Sequence, residues 1–308
     1  MQTRTVGSLE VTVVGLGTNN FGLLMGEDEV GPVVDAAIES GVNFFDTADS
    51  YGDSEERLGR ALGTRRDDVL IATKFGSPLI GQENTGGARP EYVRAAVERS
   101  LEKLGTDRID LYQLHRPDPS TPIGDTLAVL HDLVAAGKVR EIGCSNFSAQ
   151  QLRDAQGAGT PESARFVSVQ NHYNLLRRSD ETDVLPECER LGISYLPYFP
   201  LASGLLTGKY ERDVAPPEGT RLQRWGDRMG GMLSSDNFDA VDALAGWAAE
   251  RGHSLLELAF AWLIAKPGVG SVIAGATKPE QVAANAAAGA WRLSPAEVAE
   301  VDALAPQP

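Results

Sequence analysis

Several apolar runs of the sequence end in a polar side chain that could take part in chemistry. Asp46 and Tyr51 lie in FFDTADSYG, Lys74 ends the run LIATK, and His115 ends the run LYQLH. Taken one at a time, each residue has a structural explanation, because an aspartate can cap a turn and a lysine at a strand end can face solvent. Consecutive runs that all end in this way are not expected from surface charge, so the set indicates a functional site.

These four residue types suit proton transfer to or from an oxygen atom. Asp46 and Lys74 would be costly to bury among apolar strands unless they pair. An ammonium group stabilises a neighbouring phenolate, which would make Tyr51 a usable general acid and base. His115 could orient a carbonyl group by donating a hydrogen bond to its oxygen. The motifs contain neither a nucleophile–base pair nor a metal cluster. These residues can supply a proton to a developing alkoxide, but the hydride for such a reduction would have to come from a cofactor.

Short β-branched runs alternate along the chain with longer amphipathic stretches, and these elements must position the polar residues. A hairpin is predicted over Gln2–Val13, turning at Gly7-Ser8, and a long glycine-rich loop is predicted after the seventh strand. The predicted strands are Val13–Gly17, Asn43–Asp46, Val69–Thr73, Ile109–Leu114, Val139–Cys144, Phe166–Gln170, Ile193–Pro197 and Ser271–Ala274. The predicted helices are Glu29–Glu39, Glu55–Leu62 with Ser54 as its cap, Pro90–Leu104, Pro122–Ala136, Ser148–Gln156, Glu181–Arg190, Phe238–Arg251, Leu255–Ala265 and one from Pro279.

Eight strand–helix units without a change in composition predict an α/β fold, a closed (β/α)8 TIM barrel over residues 1–308 as a single domain. The rival is an open, doubly wound sheet that binds a dinucleotide through a G-x-G-x-x-G turn. That motif would need a third glycine where Asn20 stands, so the open sheet is disfavoured. In a barrel, side chains for chemistry lie where strands end and the following loops begin.

The bulk composition narrows the class of partner. The chain has 308 residues and a formal net charge of −15, so nucleic acid is not expected to bind. Two cysteines among 308 residues form no disulfide framework, and no apolar run is long enough for a membrane span. The start of the chain lacks a signal-peptide core. We therefore expect a cytoplasmic protein, a monomer or weak homo-oligomer, that acts on a small carbonyl or alcohol compound.

The chain resembles the aldo-keto reductase family over nearly its full length. The stretches GVNFFDTADSYGDSEERLG, LGTDRIDLYQLHRPD and GKVREIGCSNF carry the resemblance, and YFPLASGLLTGKY and VIAGATKPEQVAAN support it. It implies a (β/α)8 barrel and an NADPH-dependent oxidoreductase that reduces an aldehyde or ketone, or oxidises the alcohol. It also implies that Asp46, Tyr51, Lys74 and His115 are the catalytic residues, with Tyr51 as the proton donor.

The resemblance further implies where a nicotinamide cofactor would bind. Ser145, Asn146 and Gln170 would hold the carboxamide, and Tyr198 would stack on the nicotinamide ring. The loop from Phe199 to Lys209 would wrap the pyrophosphate. The remaining cofactor-binding candidates are Thr18, Asp46, Phe199, Pro200, Leu201, Ser203, Gly204, Leu206 and Lys209, together with Gly275, Thr277, Lys278, Gln281 and Asn285 at the adenosine end.

One departure from the family pattern bears on the choice of cofactor. Many members hold the 2′-phosphate of NADPH with a lysine and an arginine at the positions of Gly275 and Gln281. Lys278, Thr277 or an arginine of the long loop, Arg221 or Arg224, could substitute. NADPH is favoured, and NADH is the alternative.

The mouth of the barrel is expected to form the substrate pocket, covered by an apolar lid from the long loop. The substrate-lining candidates are Phe21, Tyr51, Phe75, His115, Arg116 and Trp225. Arg116 would contact an acceptor group of the substrate, or else pair with Asp118. The sequence leaves open a sugar or pyridoxal-type dehydrogenase that uses NAD.

An alternative from another class is a cofactor-binding regulatory or scaffold subunit, similar to the potassium-channel β-subunits of the same fold. Those subunits carry asparagine where this chain has His115. A histidine at this position favours the enzyme.

Overall fold

A computed structural model of the chain describes residues 1–82, 85–159, 163–218, 220, 222–223 and 231–305. The strands are β1 (Thr3–Val6), β2 (Leu9–Thr12), β3 (Val14–Gly17), β4 (Phe44–Asp46), β5 (Leu70–Phe75), β6 (Ile109–Leu114), β7 (Val139–Ser145), β8 (Phe166–His172), β9 (Ser194–Tyr198) and β10 (Val272–Gly275). The α-helices are α1 (Asn19–Leu23), α2 (Glu27–Glu39), α3 (Ser54–Leu62), α4 (Pro90–Leu104), α5 (Ile123–Ala135), α6 (Ala149–Ala158), α7 (Val184–Leu191), α8 (Ser235–Ala249), α9 (Leu255–Ala265), α10 (Pro279–Ala288) and α11 (Pro295–Leu304). Within the described residues, 3₁₀ helices cover Gly63–Asp68, Ser179–Glu181 and Ala202–Thr207.

The predicted (β/α)8 barrel is confirmed. Strands β3 to β10 form a closed barrel in the order β10-β3-β4-β5-β6-β7-β8-β9, and each neighbouring pair is parallel. The predicted hairpin is also present, since β1 and β2 pair antiparallel across a turn at Gly7. Because all eight strands run the same way, their carboxyl ends lie at one end of the barrel.

The hairpin closes the opposite end of the barrel with apolar side chains. Val6, Leu9 and Val11 are fully buried and pack against side chains from inside the barrel. Those side chains are Phe44, Ala72, Leu111, Leu196 and Ile273. These side chains fill the barrel interior at this end, and the end with the strand carboxyl termini remains for chemistry.

Some local predictions were wrong. Helices α1 and α11 were not foreseen, and the helix predicted over Glu181–Arg190 is a 3₁₀ turn followed by α7. Ser54 does not cap α3, because Asp53 takes the N-cap position and the Ser54 side chain is buried. No helix in the described part of the chain is long and apolar enough to cross a membrane.

Candidate active site

A buried ion pair lies at the carboxyl end of β4 and β5. Lys74 Nζ donates to Asp46 Oδ2 at 2.5 Å and to the carbonyl of Thr47 at 2.9 Å. The other oxygen of Asp46, Oδ1, accepts from Gln170 Nε2 at 2.8 Å and from Gln113 Nε2 at 3.2 Å. Burial opposes the charge on Lys74, but Asp46 and Tyr51 together outweigh burial and raise the pKa of Lys74. Lys74 is therefore an ammonium ion inside an apolar barrel.

The alternation of side chains along β5 explains why Lys74 points into the barrel. Leu70 and Ala72 face the apolar interior, and Lys74 continues that face two residues further on. Gln113 has the same relation to Leu111 on β6. Gln113 was not among the predicted site residues, although its position two residues before His115 on an apolar strand is a usable signal.

The Tyr51 ring lies beside the ion pair and against His115. Lys74 Nζ is 5.2 Å from the centroid of the Tyr51 ring, and the ring centroids of Tyr51 and His115 are 5.6 Å apart at 80°. Burial, Lys74 and Arg116 lower the pKa of His115 well below its usual value. The imidazole is therefore neutral and can donate one hydrogen bond.

The neutral histidine has a neighbour that can fix its tautomer. Ser50 Oγ lies 3.3 Å from His115 Nδ1. When the Ser50 hydroxyl donates to Nδ1, the proton of the ring is on Nε2. The structure thus brings together all four predicted catalytic residues, and His115 has a donor to offer to an oxygen atom.

A second group of predicted residues forms a hydrogen-bonded chain beside this centre. Ser145 Oγ donates to the carbonyl of Gln170 at 2.6 Å, and Asn146 Nδ2 donates to the carbonyl of His115 at 2.9 Å. The hydroxyl of Tyr198 donates to Asn146 Oδ1 at 2.8 Å. These side chains are connected to the catalytic residues through backbone carbonyls, so their positions depend on one another.

The loop that follows β9 has an unusual backbone. Phe199, Ala202 and Ser203 have φ of 52°, 45° and 57°, and Gly204 has φ of 98°. Positive φ is uncommon outside glycine, and such conformations cluster at functional sites. Turns of this kind can point successive amides into one concavity that suits an anion. The exposed side chain of Lys209 lies over Gly204, where a Cβ would overlap it.

Other predicted residues of this loop pack in the protein interior. Pro200 and Leu206 are buried, and Leu201 packs against the hydrophobic core. Thr18 is also fully buried, and its hydroxyl donates to the carbonyl of Asp46 at 3.0 Å. These residues shape the site through packing and backbone contacts.

The predicted adenosine end lies between β10 and α10. Gly275 and Lys278 are exposed, Lys278 is the N-cap of α10, and Asn285 is buried on that helix. Gln281 Oε1 accepts from the amide of Thr277 at 2.8 Å, so the side chain of Gln281 stabilises the start of its own helix. The first turn of α10 offers backbone N–H groups to an anion.

Two of the predicted substrate-lining residues are not at the site. Phe75 is fully buried and stacks on Tyr112 at 4.6 Å between ring centroids. It follows Lys74 directly on β5 and so faces the helix layer. Phe21 is likewise fully buried in the hydrophobic core, on α1.

Of the remaining substrate-lining candidates, Arg116 is exposed and Trp225 lies outside the described residues. Arg116 Nε donates to Ser77 Oγ at 3.0 Å. The alternative pairing with Asp118 is wrong, because Asp118 accepts hydrogen bonds from Ala88, Ser120 and Thr121. The two arginines at positions 221 and 224 also lie outside the described residues.

Comparisons with known proteins agree with this geometry. A family model described as the aldo/keto reductase family matches residues 13–306. The aldo-keto reductase YhdN of Bacillus subtilis is 35% identical, with 96% of this chain and 90% of the relative covered. A protein of Arabidopsis thaliana named "Probable voltage-gated potassium channel subunit beta" is also 35% identical, with 92% and 90% covered. The solved glycerol dehydrogenase AKR11B4 from Gluconobacter oxydans superposes with a TM-score of 0.86 at 32% identity, with 98% and 94% covered.

Proposed function

Because the chain belongs to the aldo/keto reductase family, whose members are oxidoreductases, we propose that it reduces an aldehyde or ketone to the alcohol, or catalyses the reverse, with NADPH as the preferred cofactor. The observation that carries the proposal is the buried Asp46–Lys74 pair beside Tyr51, with a neutral His115 against the same ring. No other cluster of the described residues combines a tyrosine, an ammonium ion and a neutral imidazole.

The proposed chemistry needs one proton and one hydride for each carbonyl group reduced. A nicotinamide cofactor supplies the hydride when it is bound. The Tyr51 hydroxyl donates its proton to the carbonyl oxygen, and the Lys74 ammonium stabilises the phenolate that remains. Asp46 keeps Lys74 charged, and His115 donates a hydrogen bond to the same carbonyl oxygen. In the reverse direction, the Tyr51 phenolate accepts the proton of the alcohol.

The chain has suitable groups for each part of the cofactor. We assign the carboxamide to Ser145, Asn146 and Gln170, and the nicotinamide ring to the half-buried face of Tyr198. The positive-φ loop with Lys209 suits a pyrophosphate, because its amides and its ammonium group are donors that carry positive charge. Thr18, Asp46 and the loop residues from Phe199 to Leu206 support these groups.

The site of the 2′-phosphate can be tested directly. We assign it to Lys278, Thr277 and the first turn of α10, since Gly275 has no side chain and Gln281 is bonded to Thr277. Fluorescence titration should show tighter binding of NADPH than of NADH, and Lys278→Ala should reduce that difference. NADH binding tenfold more tightly than NADPH would reverse the choice.

The substrate is proposed to be a small carbonyl or alcohol compound with a polar group near the reacting oxygen. Arg116 is exposed, follows His115 directly and is held through Nε by Ser77, which leaves the terminal nitrogens of its guanidinium for an acceptor. Similarity to a glycerol dehydrogenase favours polyols and sugars within a test panel. The panel should also contain aldehydes and ketones, followed at the nicotinamide absorbance.

The decisive experiment removes the proton donor. Tyr51→Phe should lower the rate of reduction of 4-nitrobenzaldehyde by at least about 10²-fold while NADPH binding is retained. Tyr195→Phe is the matched control, because its hydroxyl bonds to Asp180 on the helix side of β9. A Tyr51→Phe protein that reduces the aldehyde at the wild-type rate would refute the assignment.

A second candidate function is a cofactor-binding regulatory subunit, which similarity to the Arabidopsis protein favours. The neutral, hydrogen-bonded His115 favours the enzyme instead. A wild-type protein that binds NADPH but turns over no member of the panel would support the regulatory subunit.

A further inference from the structure

A second pair of buried acids lies behind the catalytic segment, on the side of β5 that faces the helices. Asp49 follows β4 by three residues and is 5% exposed, and Glu55 lies in the first turn of α3 and is fully buried. Neither residue is part of the Asp46–Lys74 pair. Buried carboxylates are costly unless they are paired or hydrogen-bonded, so this pair requires an explanation.

The two acids lie in a cluster of polar groups whose hydrogen bonds are incomplete. Glu55 Oε1 accepts from Thr73 Oγ1 at 2.6 Å. Glu55 Oε2 and both carboxylate oxygens of Asp49 have no partner of good geometry among the described residues. The same holds for the hydroxyls of Tyr92, Ser100 and Tyr112 and for one terminal nitrogen of Arg99. The protein thus has a buried polar cluster outside the proposed active site.

The charges around the pair do not neutralise both acids. Arg99 and Lys103 of α4 face the pair, as do the neutral hydroxyls of Tyr92 and Ser100 on the same helix and of Tyr112 on β6. Burial and Glu55 raise the pKa of Asp49 to about 7, and the two cations offset this only in part. Burial likewise raises the pKa of Glu55.

The acid pair is connected to Lys74 directly through the backbone and to Tyr51 and His115 through Ser50. The amide of Asp49 donates to the carbonyl of Lys74 at 3.1 Å, and Glu55 accepts from Thr73, which precedes Lys74. Asp49 is also followed directly by Ser50, the residue that contacts His115 and precedes Tyr51. A movement of either acid would therefore displace the segment that carries Tyr51.

We propose that Asp49 and Glu55 are positioning residues that hold the 47–54 segment against β5 and so set Tyr51 and His115 relative to Lys74. This proposal rests on the proposed function, since it concerns the same site. When both acids are ionised, their repulsion in a buried space displaces the segment, and catalysis declines.

The acid pair should also affect how the stability of the protein without cofactor depends on pH. The raised pKa of Asp49 means that the folded chain holds this proton more tightly than the unfolded chain does. The stability from this proton is present at low pH and is lost as the pH rises from the unfolded value near 4 to the folded value of about 7. The unfolding constant of the wild-type protein should rise at least about tenfold between pH 5 and pH 8, and Asp49→Asn should remove this rise.

The activity experiment uses a carbonyl–alcohol couple that the wild-type protein turns over, measured in both directions from pH 5 to pH 9. Ionisation of Tyr51 lowers reduction but favours oxidation, whereas ionisation of the acid pair lowers kcat in both directions. Asp49→Asn and Glu55→Gln, which stay neutral, should remove the decline common to both directions. Asp49→Ala should lower kcat at least about tenfold with little change in the KM for the cofactor.

The matched control is Asp110→Asn, which neutralises another fully buried carboxylate that already has cationic partners. It should lower stability across the pH range and leave the pH profile of kcat unchanged. The proposal would be overturned if the pH profiles of kcat for Asp49→Asn and Glu55→Gln equalled those of wild type and of Asp110→Asn. This outcome can be read even if Asp49→Ala fails to fold. Failure of the proposed function would instead appear as a Tyr51→Phe protein with full activity, while the unfolding experiment on Asp49→Asn remains informative.

Discussion

The two ends of the barrel both bury carboxylates but treat them differently. At the hairpin end, Asp110 accepts from Arg66 at 2.8 Å, from Arg140 at 2.9 Å and from the amide of Ile71 at 2.9 Å. At the other end, Asp49 and Glu55 have oxygens without a partner of good geometry. Asp110 at the hairpin end thus has a partner for each carboxylate oxygen, whereas Asp49 and Glu55 at the other end do not.

The backbone differs between the two ends in the same way. The hairpin end consists of regular strands around an apolar plug. Four of the five described non-glycine residues with positive φ, Asn146, Phe199, Ala202 and Ser203, lie at the catalytic end, and the fifth, Asp213, lies in the loop after β9. A strained backbone lowers stability. Because these four residues lie beside the proposed cofactor site, we infer that their conformation serves function, whereas the hairpin end serves folding.

The largest effect is expected from Lys74→Met at the catalytic end. It leaves the Asp46 carboxylate buried without a cation, which should lower the free energy of unfolding by about 3–5 kcal/mol. It also removes the group that stabilises the Tyr51 phenolate, so reduction should fall at least about 10²-fold. Urea unfolding and steady-state kinetics measure both effects.

The double variant Asp46→Asn with Lys74→Met serves as the control for this experiment. It should recover part of the lost stability without recovering activity, because the buried charge is gone but the ammonium is still missing. Recovery of activity in the double variant would show that Lys74 acts only through folding.

The sequence predicted the barrel, and it predicted that Asp46, Tyr51, Lys74 and His115 lie together at one end, because both depend on short-range patterns. Alternation along β5 places Lys74 on the face of Leu70 and Ala72, and this parity can be read from the residues. The same rule, applied to Phe75, would have placed it on the helix side, so that error was avoidable. Helix α1 was not predictable, since its five residues include a glycine and no side chain caps it.

The acid pair could not have been found from the sequence, because its burial is a tertiary property. Asp49 lies in a loop and Glu55 at the start of a helix, positions where acids are usually exposed or favoured by the helix dipole. Only the packing of α4 and β6 over them removes water. A buried polar group of this kind is visible once the neighbouring elements are placed.

The next largest effect is expected at the hairpin end, from Leu9→Ala in the apolar plug. Leu9 is fully buried among the side chains of the barrel interior, so its truncation should lower the free energy of unfolding by about 2–4 kcal/mol. The KM and kcat of the folded protein should remain within twofold of wild type. A large loss of kcat in folded Leu9→Ala protein would contradict the separation of the two ends.

A smaller effect at the same end is expected from Asp110→Asn. The loss of charge weakens the contacts to Arg66 and Arg140 and should lower the free energy of unfolding by about 2 kcal/mol. The cost is moderate because Arg140 is partly exposed and can be solvated. Chemical denaturation at two salt concentrations measures the cost, which should change little with salt if the buried contacts dominate.

A selective effect on kcat is expected from Gly22→Ala. A Cβ on Gly22 would overlap the carbonyl oxygen of Tyr51, and α1 cannot easily withdraw. Arg57 donates to the carbonyls of Phe21 and Met25 at 2.6 Å, which fixes α1 to α3. The Tyr51 turn must therefore move, and kcat should fall about tenfold, equivalent to about 1.4 kcal/mol, while NADPH affinity is retained.

The exposed Gly246, in the interior of α8, is the matched control for Gly22. A Cβ there meets no atom within 4 Å, so Gly246→Ala should raise the free energy of unfolding by about 0.5–1 kcal/mol and leave kcat unchanged. Equal kinetics for the two alanine variants would mean that α1 does not position Tyr51. A selective loss of kcat in Gly22→Ala would show that the catalytic end depends on close backbone packing, whereas glycines elsewhere can be filled without loss of activity.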